Sequence, residues 1–319
     1  KKHRTPTVLN YRDFDQARAE ERREALLGSL NESSAIGLIP DVRLGYVFKQ
    51  RVVGVDYHFW PTLPSLFPVA YPGIKTSRDE ALVDIDRERL VDRMQSYFNP
   101  ALEDNEIGRT IPVLMKDSSR FEAKKTRTTL VKRGILNSNF VRYCYRPFDN
   151  RWVYWEPETK LLDEKRTEYF EQVSAENLWL FTTGRTRQNT IEPAFLTSTL
   201  VDLNFQDSNA RGIPLKIRNP SELFGAIGQH NSHPNLSIES AKYVLALATK
   251  ATTLMLHSLA ITNSAQYRTD NFSGLKQDWP RIPLPATREL LEASAALGKQ
   301  LAALMDVDTP VVGVTSGAV

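Results

Sequence analysis

The stretch RYCYRPFDNRWVYW, from Arg142 to Trp155, constrains the fold of this chain more than any other. Strand-forming residues flank a Pro-Phe-Asp-Asn turn, which is the pattern of a β-hairpin. The run holds three arginines and six aromatic rings. Side chains alternate between the two faces of a strand. Phe140, Arg142, Cys144 and Arg146 therefore share one face, and Val141, Tyr143 and Tyr145 the other, while Trp152, Tyr154 and Trp155 lie on the return strand. Rings on both faces suit a strand pair packed inside a domain. An open platform for splayed bases would show its rings on one face. Arg146 and Arg151 flank the turn and are candidates for contact with nucleic acid. Pairing with Asp149 is their structural alternative.

A chain of 319 residues that is 41% hydrophobic and 25% charged can bury a real core. Its net charge of +3 is compatible with a nucleic-acid partner without demanding one. The single cysteine, Cys144, excludes an internal disulfide framework and a cysteine-rich zinc site. Inside a strand of rings it reads as a buried, inert thiol. A reducing, cytoplasmic location follows as the simple expectation. No apolar run reaches the roughly 18–20 residues of a membrane span, so no membrane partner is expected. The sequence opens at Lys1 without Met and reads as a piece of a longer polypeptide.

PTVLNY suits a short strand. Asp13 then caps a mostly charged helix near Phe14–Leu30, with Gln16 in capping-box position. YVFKQRVVGVDYHFW alternates as strands do. Prolines 61, 64, 68 and 72 break the chain into loop before GIKTSRDE. ALVDID suits a strand, and Asp86 caps a helix whose apolar face is Leu90, Val91, Met94 and Phe98. RFEAKKTRTTLVKR and KLLDEKRTEYF read as helical. NLWLFTTGRTRQ reads as a strand running into a loop, and STLVDLNF and GIPLKI as strands. Ser237 and Thr287 cap two C-terminal helices. The last of these places Leu290, Leu291, Leu297, Leu301 and Leu304 at core-like intervals.

Several chemistries are not encoded. There is no GxxxxGK[ST] and no GxGxxG, so neither a P-loop nor a dinucleotide fingerprint is present. The polar-Pro-Pro-aromatic turn that grips a flipped base in an amine methyltransferase is missing. His230 and His233 form an HxxH without further ligands at metal spacing. Glu122-Ala123-Lys124 has the letters of a nuclease ExK motif but stands in a basic helical context.

What remains is a set of cationic and amide clusters in loops. Lys75, Thr76 and Arg78 suit phosphate oxygens, although Ser77 and Glu80 also form a capping-box pattern. Lys165 and Arg166 form a second cluster. Arg185, Arg187, Gln188 and Asn189 share one turn after a strand. They are the best base readers here, because Arg grips guanine, and Gln or Asn adenine, with paired hydrogen bonds.

GIKTSRDEALVDID, YRPFDNRWVYW, the STLVDLNF and GIPLKI strands, and WPRIPLP before a leucine helix with ALGKQLAALM occur in that order. Together they resemble the C-terminal specificity region of Type ISP restriction-modification enzymes and of related phage-defence adenine-N6 DNA methyltransferases. The resemblance covers about Tyr46 to Met305. It implies an α+β target-recognition fold: a mixed, mostly antiparallel sheet with flanking helices and a C-terminal helical section. The expected organisation is a connecting segment over 1–44, the recognition region over 45–236, a helical section over 237–306 and a tail over 307–319.

The partners implied are double-stranded DNA and the methyltransferase, helicase-like and nuclease segments of a parent polypeptide. S-adenosylmethionine, ATP and Mg belong to that parent, with no catalytic residue, cofactor or metal in this chain. Two other readings stand beside this one. The first is a docking module working through the charged helix and the leucine helix. The second is a stand-alone nuclease built on Glu122.

Overall fold

The computed structural model describes residues 53–174, 176–186, 190–206, 210–218 and 232–314, with the backbone of 9–11 and 36–38. In chain order the strands are β1 (Leu9–Tyr11), β2 (Ile36–Leu38), β3 (Tyr71–Pro72), β4 (Val83–Asp84), β5 (Phe140–Arg146), β6 (Asp149–Tyr154), β7 (Trp179–Thr183), β8 (Phe195–Thr197), β9 (Leu200–Val201), β10 (Ala210–Pro214), β11 (Lys216–Arg218) and β12 (Ser232–Pro234). The longer helices are α1 (Arg87–Phe98), α2 (Asp104–Thr110), α3 (Ala123–Arg133), α4 (Ile238–Ala246), α5 (Ala251–Asn263) and α6 (Arg288–Met305).

The hairpin forms where the alternation places it, as β5 and β6, with a register shift between Cys144 and Arg146. It is the centre of a four-stranded sheet ordered β4-β6-β5-β9, and a second sheet is ordered β3-β10-β7-β8. Among these pairs only β5 with β9 is parallel. The fold is α+β with mainly antiparallel sheets and flanking helices, as the resemblance implies.

One buried cluster takes Tyr143 and Val153 from the first sheet, Trp179 and Phe181 from the second, and Leu254 and Leu259 from α5. Tyr143 and Tyr154 are fully buried and Trp155 is nearly so, whereas Phe148 at the turn is exposed. Most hairpin rings therefore hold the core. Cys144 is buried as expected, and burial pushes its thiol up to about 12.

Three of the caps read from sequence are present, at Asp86, Ser237 and Thr287, and the Asp13 cap lies outside the described residues. The Asp86 carboxylate accepts the Glu88 and Arg89 amides at the start of α1. Ser237 and Thr287 accept the amides of Ser240 and Leu290. Leu90, Met94 and Phe98 of α1 are buried.

Other expectations give way to tertiary packing. Of YVFKQRVVGVDYHFW, residues through 52 lie outside the described set, as does the helix expected at 14–30. Tyr57–Phe59 is a 3-10 turn, because Tyr57 is drawn into a small cluster with Tyr267 and Leu275. In ALVDID only Val83–Asp84 pairs with β6, and the preceding Asp79–Leu82 is helical. KLLDEKRTEYF is helical only over Thr167–Phe170, since Leu161 and Leu162 are buried from an irregular loop. STLVDLNF is a strand only at Leu200–Val201, because Asp202 turns inward to side chains of the hairpin.

Helix α6 corrects the leucine pattern. Leu291, Ala295, Gly298 and Met305 form its buried stripe, while Leu290, Leu297 and Leu304 are exposed. A helix advances about 100° per residue, so the heptad leucines fall on the flank of the stripe. Gly298 sets the contact with α5: a Cβ there would stand 1.9 Å from the Leu256 carbonyl oxygen.

No single helix among the described residues is long and apolar enough to cross a membrane. No group of three His, Cys, Asp or Glu suited to a metal occurs among them either. His233 is exposed in β12, and His230 is outside the described residues. Glu122 is the N-cap residue of α3, and its carboxylate pairs with Lys125 at 3.3 Å.

His257 is buried between the Ser294 hydroxyl and the Pro283 carbonyl, each 2.8 Å away. A carbonyl only accepts, so Nε2 carries the proton and Nδ1 accepts from Ser294. Burial holds its pKa below the ordinary value, against the Pro283 hydrogen bond. Below about pH 6.5 the unfolded chain binds a proton that the folded chain resists. Stability is therefore expected to fall more steeply as the pH drops below about 6.5 in the wild type than in His257→Gln. Urea unfolding at each pH measures the difference.

Candidate nucleic-acid interface

Three buried or half-buried carboxylates gather the candidate loops. Asp163 accepts Lys75 Nζ at 3.0 Å, the Ser77 hydroxyl at 3.1 Å and Arg120 at 2.9 Å. Burial opposes its ionisation, but the hydrogen bonds from Lys75 and Ser77 and the charges of Lys75 and Arg120 outweigh burial and hold its pKa below the ordinary value. Asp79 accepts the Tyr145 hydroxyl at 2.8 Å and the Thr76 hydroxyl. Asp202 accepts the Tyr143 hydroxyl at 2.5 Å, Arg146 Nη1 at 2.8 Å and the Asn204 amide at 2.8 Å. Burial raises the Asp202 pKa against those donors. Asp79 and Asp202 thus tie the GIKTSRDE loop and the segment after β9 to the hairpin.

The backbone makes the same join. Lys75 and Glu164 exchange both amide-to-carbonyl bonds at 2.9 Å. Ser77 takes a positive φ of 57°, which turns its hydroxyl loop toward Asp163 instead of into the expected capping box. Gly73 lies against the Asp202 backbone, where a Cβ would meet the carbonyl at 2.5 Å.

The predicted residues divide by exposure. Thr76 and Arg78 are buried, at 1% and 6% exposure. Arg78 donates to the Leu161 carbonyl at 2.8 Å and lies 3.5 Å over the Phe121 ring. These two side chains organise the loop from within it. Lys75 remains partly exposed beside Asp163. Arg146 and Arg151 both lie over the Tyr145 ring, at 4.1 and 4.3 Å from its centroid. Arg151 also pairs with Asp149 at 2.7 Å, the alternative that its turn suggests.

Lys165 donates to the Pro157 carbonyl, and Arg166 pairs with Glu164. Arg185 is exposed, and its neighbour Gly184 packs on the Trp279 indole. Arg187, Gln188 and Asn189 lie outside the described residues. The structure therefore brings Lys75, Arg146, Arg151 and the 160–166 loop together. Each of those cations is already oriented by a neighbour. A guanidinium has five N–H donors, so a carboxylate partner does not exhaust it.

Reading the sequence missed Arg120, which joins Lys75 on Asp163, and the lysines beside it, Lys116 and Lys160. The segment KDSSRF carries no motif, and only the approach of the 160–166 loop gives its charges a common target.

The sequence matches the Type ISP C-terminal specificity domain over residues 65–311. Three solved structures share the fold. One is a cryoEM DrdV–DNA complex, with a TM-score of 0.61 and 17% identity over 92% of this chain. Another is a nuclease-deletion mutant of the Type ISP restriction-modification enzyme LlaGI with a DNA substrate mimic, at 0.58 and 17% over 87%. The third is the ATP-dependent Type ISP enzyme LlaBIII bound to DNA, at 0.59 and 18% over 89%. This chain spans 30%, 26% and 19% of those chains, respectively. No curated protein matches the sequence.

Proposed function

The chain belongs to the Type ISP C-terminal specificity domain family, and on that premise we propose that it recognises a specific sequence in duplex DNA. The observation that carries the reading is that Lys75, Arg120, Arg146 and Arg151 sit on linked loops, paired with Asp163, Asp202 and Asp149. Phosphate contacts from such loops fix register on the duplex, and base contacts then specify. The Arg185–Asn189 turn is assigned the base-reading role, and Lys75 a phosphate role. A recognition interface of this kind buries on the order of 1,000–2,500 Å² of protein.

In the parent polypeptide the domain would hold the site while an attached methyltransferase extrudes and methylates an adenine at N6. S-adenosylmethionine, ATP and Mg would serve those other segments, alongside translocation and cleavage. A cytoplasmic location and a role in phage defence go with this reading.

Arg187→Ala or Gln188→Ala is expected to relax discrimination at one base pair at a cost of about 1–3 kcal/mol. Lys75→Ala is expected to weaken all sequences alike and to flatten the salt dependence by about one unit of log–log slope. Binding of the chain to its site and to scrambled duplexes, across a salt series, measures both. Unchanged site choice and unchanged slope would refute the assignments.

The exposed Leu290, Leu297 and Leu304 row favours a second reading, a docking module that couples enzyme segments without reading DNA. Duplex binding with no sequence preference at any salt concentration is its signature in the same assay.

A further inference from the structure

A cleft of about 390 Å³ opens beside the Asp163 cluster, between the GIKTSRDE loop, the 116–121 turn and the loop that begins at Lys160. Arg78, Lys116, Arg120 and Lys160 line it, with Asp117 and Asp163 as its carboxylates. Both carboxylates are engaged within the fold. Asp117 accepts the Ala123 amide at 2.7 Å, at the first turn of α3, and Asp163 accepts Lys75, Ser77 and Arg120.

The two lysines differ from the other cations of the region. Lys116 and Lys160 are exposed, and neither makes an ion pair of 4.0 Å or less among the described residues. The turn between them is fixed, because Ser118 and Phe121 exchange both backbone hydrogen bonds, at 2.9 and 3.2 Å. Phe121 in turn lies under the Arg78 guanidinium. The cleft is thus a recess lined by two exposed ammonium groups, with the Arg78 guanidinium held over Phe121 in its wall. Those are the donors a phosphate oxygen takes, and Lys serves as a point charge for it.

We propose that this cleft is a phosphate-binding site that holds one DNA phosphodiester through Lys116, Lys160 and Arg120. The proposal rests on the DNA-recognition reading above and adds to it a contact that Lys75 alone does not supply. Neutralising a phosphate releases condensed counterions, so the site is read from the salt dependence of binding.

The test compares wild type with a Lys116→Ala/Lys160→Ala double variant on a mixed-sequence duplex. A Lys116→Arg/Lys160→Arg variant and Lys75→Ala serve as controls. The log–log salt slope is expected to fall by about one unit in the alanine variant, as for one phosphate, and to return in the arginine variant. A duplex series carrying one neutral methylphosphonate at a time should show one position that weakens wild type by about tenfold, a loss of the size of one charged contact, and leaves the alanine variant unaffected.

A wild-type slope in the alanine variant, with Lys75→Ala still flattening it, overturns the cleft and spares DNA recognition. No duplex binding by wild type overturns both. Saturable binding of inorganic phosphate or a nucleoside triphosphate, lost in the alanine variant without change in the DNA slope, overturns DNA as the source of the phosphate.

Discussion

Arg133→Met is expected to lower the free energy of unfolding by about 3–5 kcal/mol, the cost of leaving a buried charge without its partner. Glu156 is fully buried. Its two oxygens take Arg133 Nη1 at 2.9 Å and Nη2 at 2.8 Å, and one also accepts the Glu158 and Thr159 amides at 2.9 and 3.3 Å. Burial works against the Arg133 charge, yet the hydrogen bonds and charge of Glu156 outweigh it and raise the Arg133 pKa. Methionine keeps much of the volume and removes the counter-charge. Glu156→Gln added to Arg133→Met should recover part of the loss, because a neutral amide is cheaper to bury than a lone carboxylate.

Urea denaturation followed by circular dichroism gives the three midpoints. An Arg133→Met midpoint equal to that of wild type would show that the pair contributes nothing net. The effect should reach the interface, because Glu156 fixes the turn that leads to Lys160 and Asp163. DNA affinity should therefore fall in Arg133→Met even where the protein remains folded.

Arg127→Ala is expected to cost a similar amount, about 3–5 kcal/mol, by a different route. Arg127 is 7% exposed. It donates from Nε to the Tyr97 carbonyl at 3.0 Å, from Nη2 to the Asn99 and Leu102 carbonyls at 2.8 Å each, and from Nη1 to Asp104 at 2.8 Å. The last carbonyls of a helix have no partner within it, and its C-terminus carries partial negative charge. A single guanidinium thus closes the end of α1, the connection that follows it and the start of α2.

Alanine leaves several buried carbonyls without donors, at about 1–3 kcal/mol for each one that water cannot reach. Arg127→Lys retains the charge and loses the planar fork, so it should recover less than half of the loss. The same denaturation series decides. An Arg127→Lys variant as stable as wild type would mean that charge alone, without the fork geometry, holds this junction.

Neither arginine was distinguishable in sequence from those assigned to DNA. RFEAKKTRTTLVKR shows a basic helix, and the helix forms as α3. Its inward-facing arginines, buried Arg127 and half-buried Arg133, look no different in the string from the exposed Lys124, Lys125 and Lys132 of the same helix. The same limit applies to Lys75, Thr76 and Arg78. Their loop was legible, but Arg78 is held inside it by Phe121 and Leu161, which arrive from other segments. On α6 the leucines were visible and their direction was not. The stripe that meets α5 is centred on small residues, with Gly298 against the Leu256 carbonyl, so the heptad leucines are left outside.

Local physics was sufficient for the elements whose information is local. The hairpin follows from alternation about a turn, the capped helices α1, α4 and α6 from a side-chain acceptor placed before a periodic run, and the buried thiol from its place among rings. Tertiary structure alone decided which cations face solvent and which close the fold, where the β8–β9 segment passes from one sheet to the other, and that Lys75 and Arg120 meet on one carboxylate. The reason is that a charge takes its role from the groups that surround it in space. For Arg120, Arg127 and Arg133 those groups are supplied by residues far away along the chain, which a linear pattern does not register.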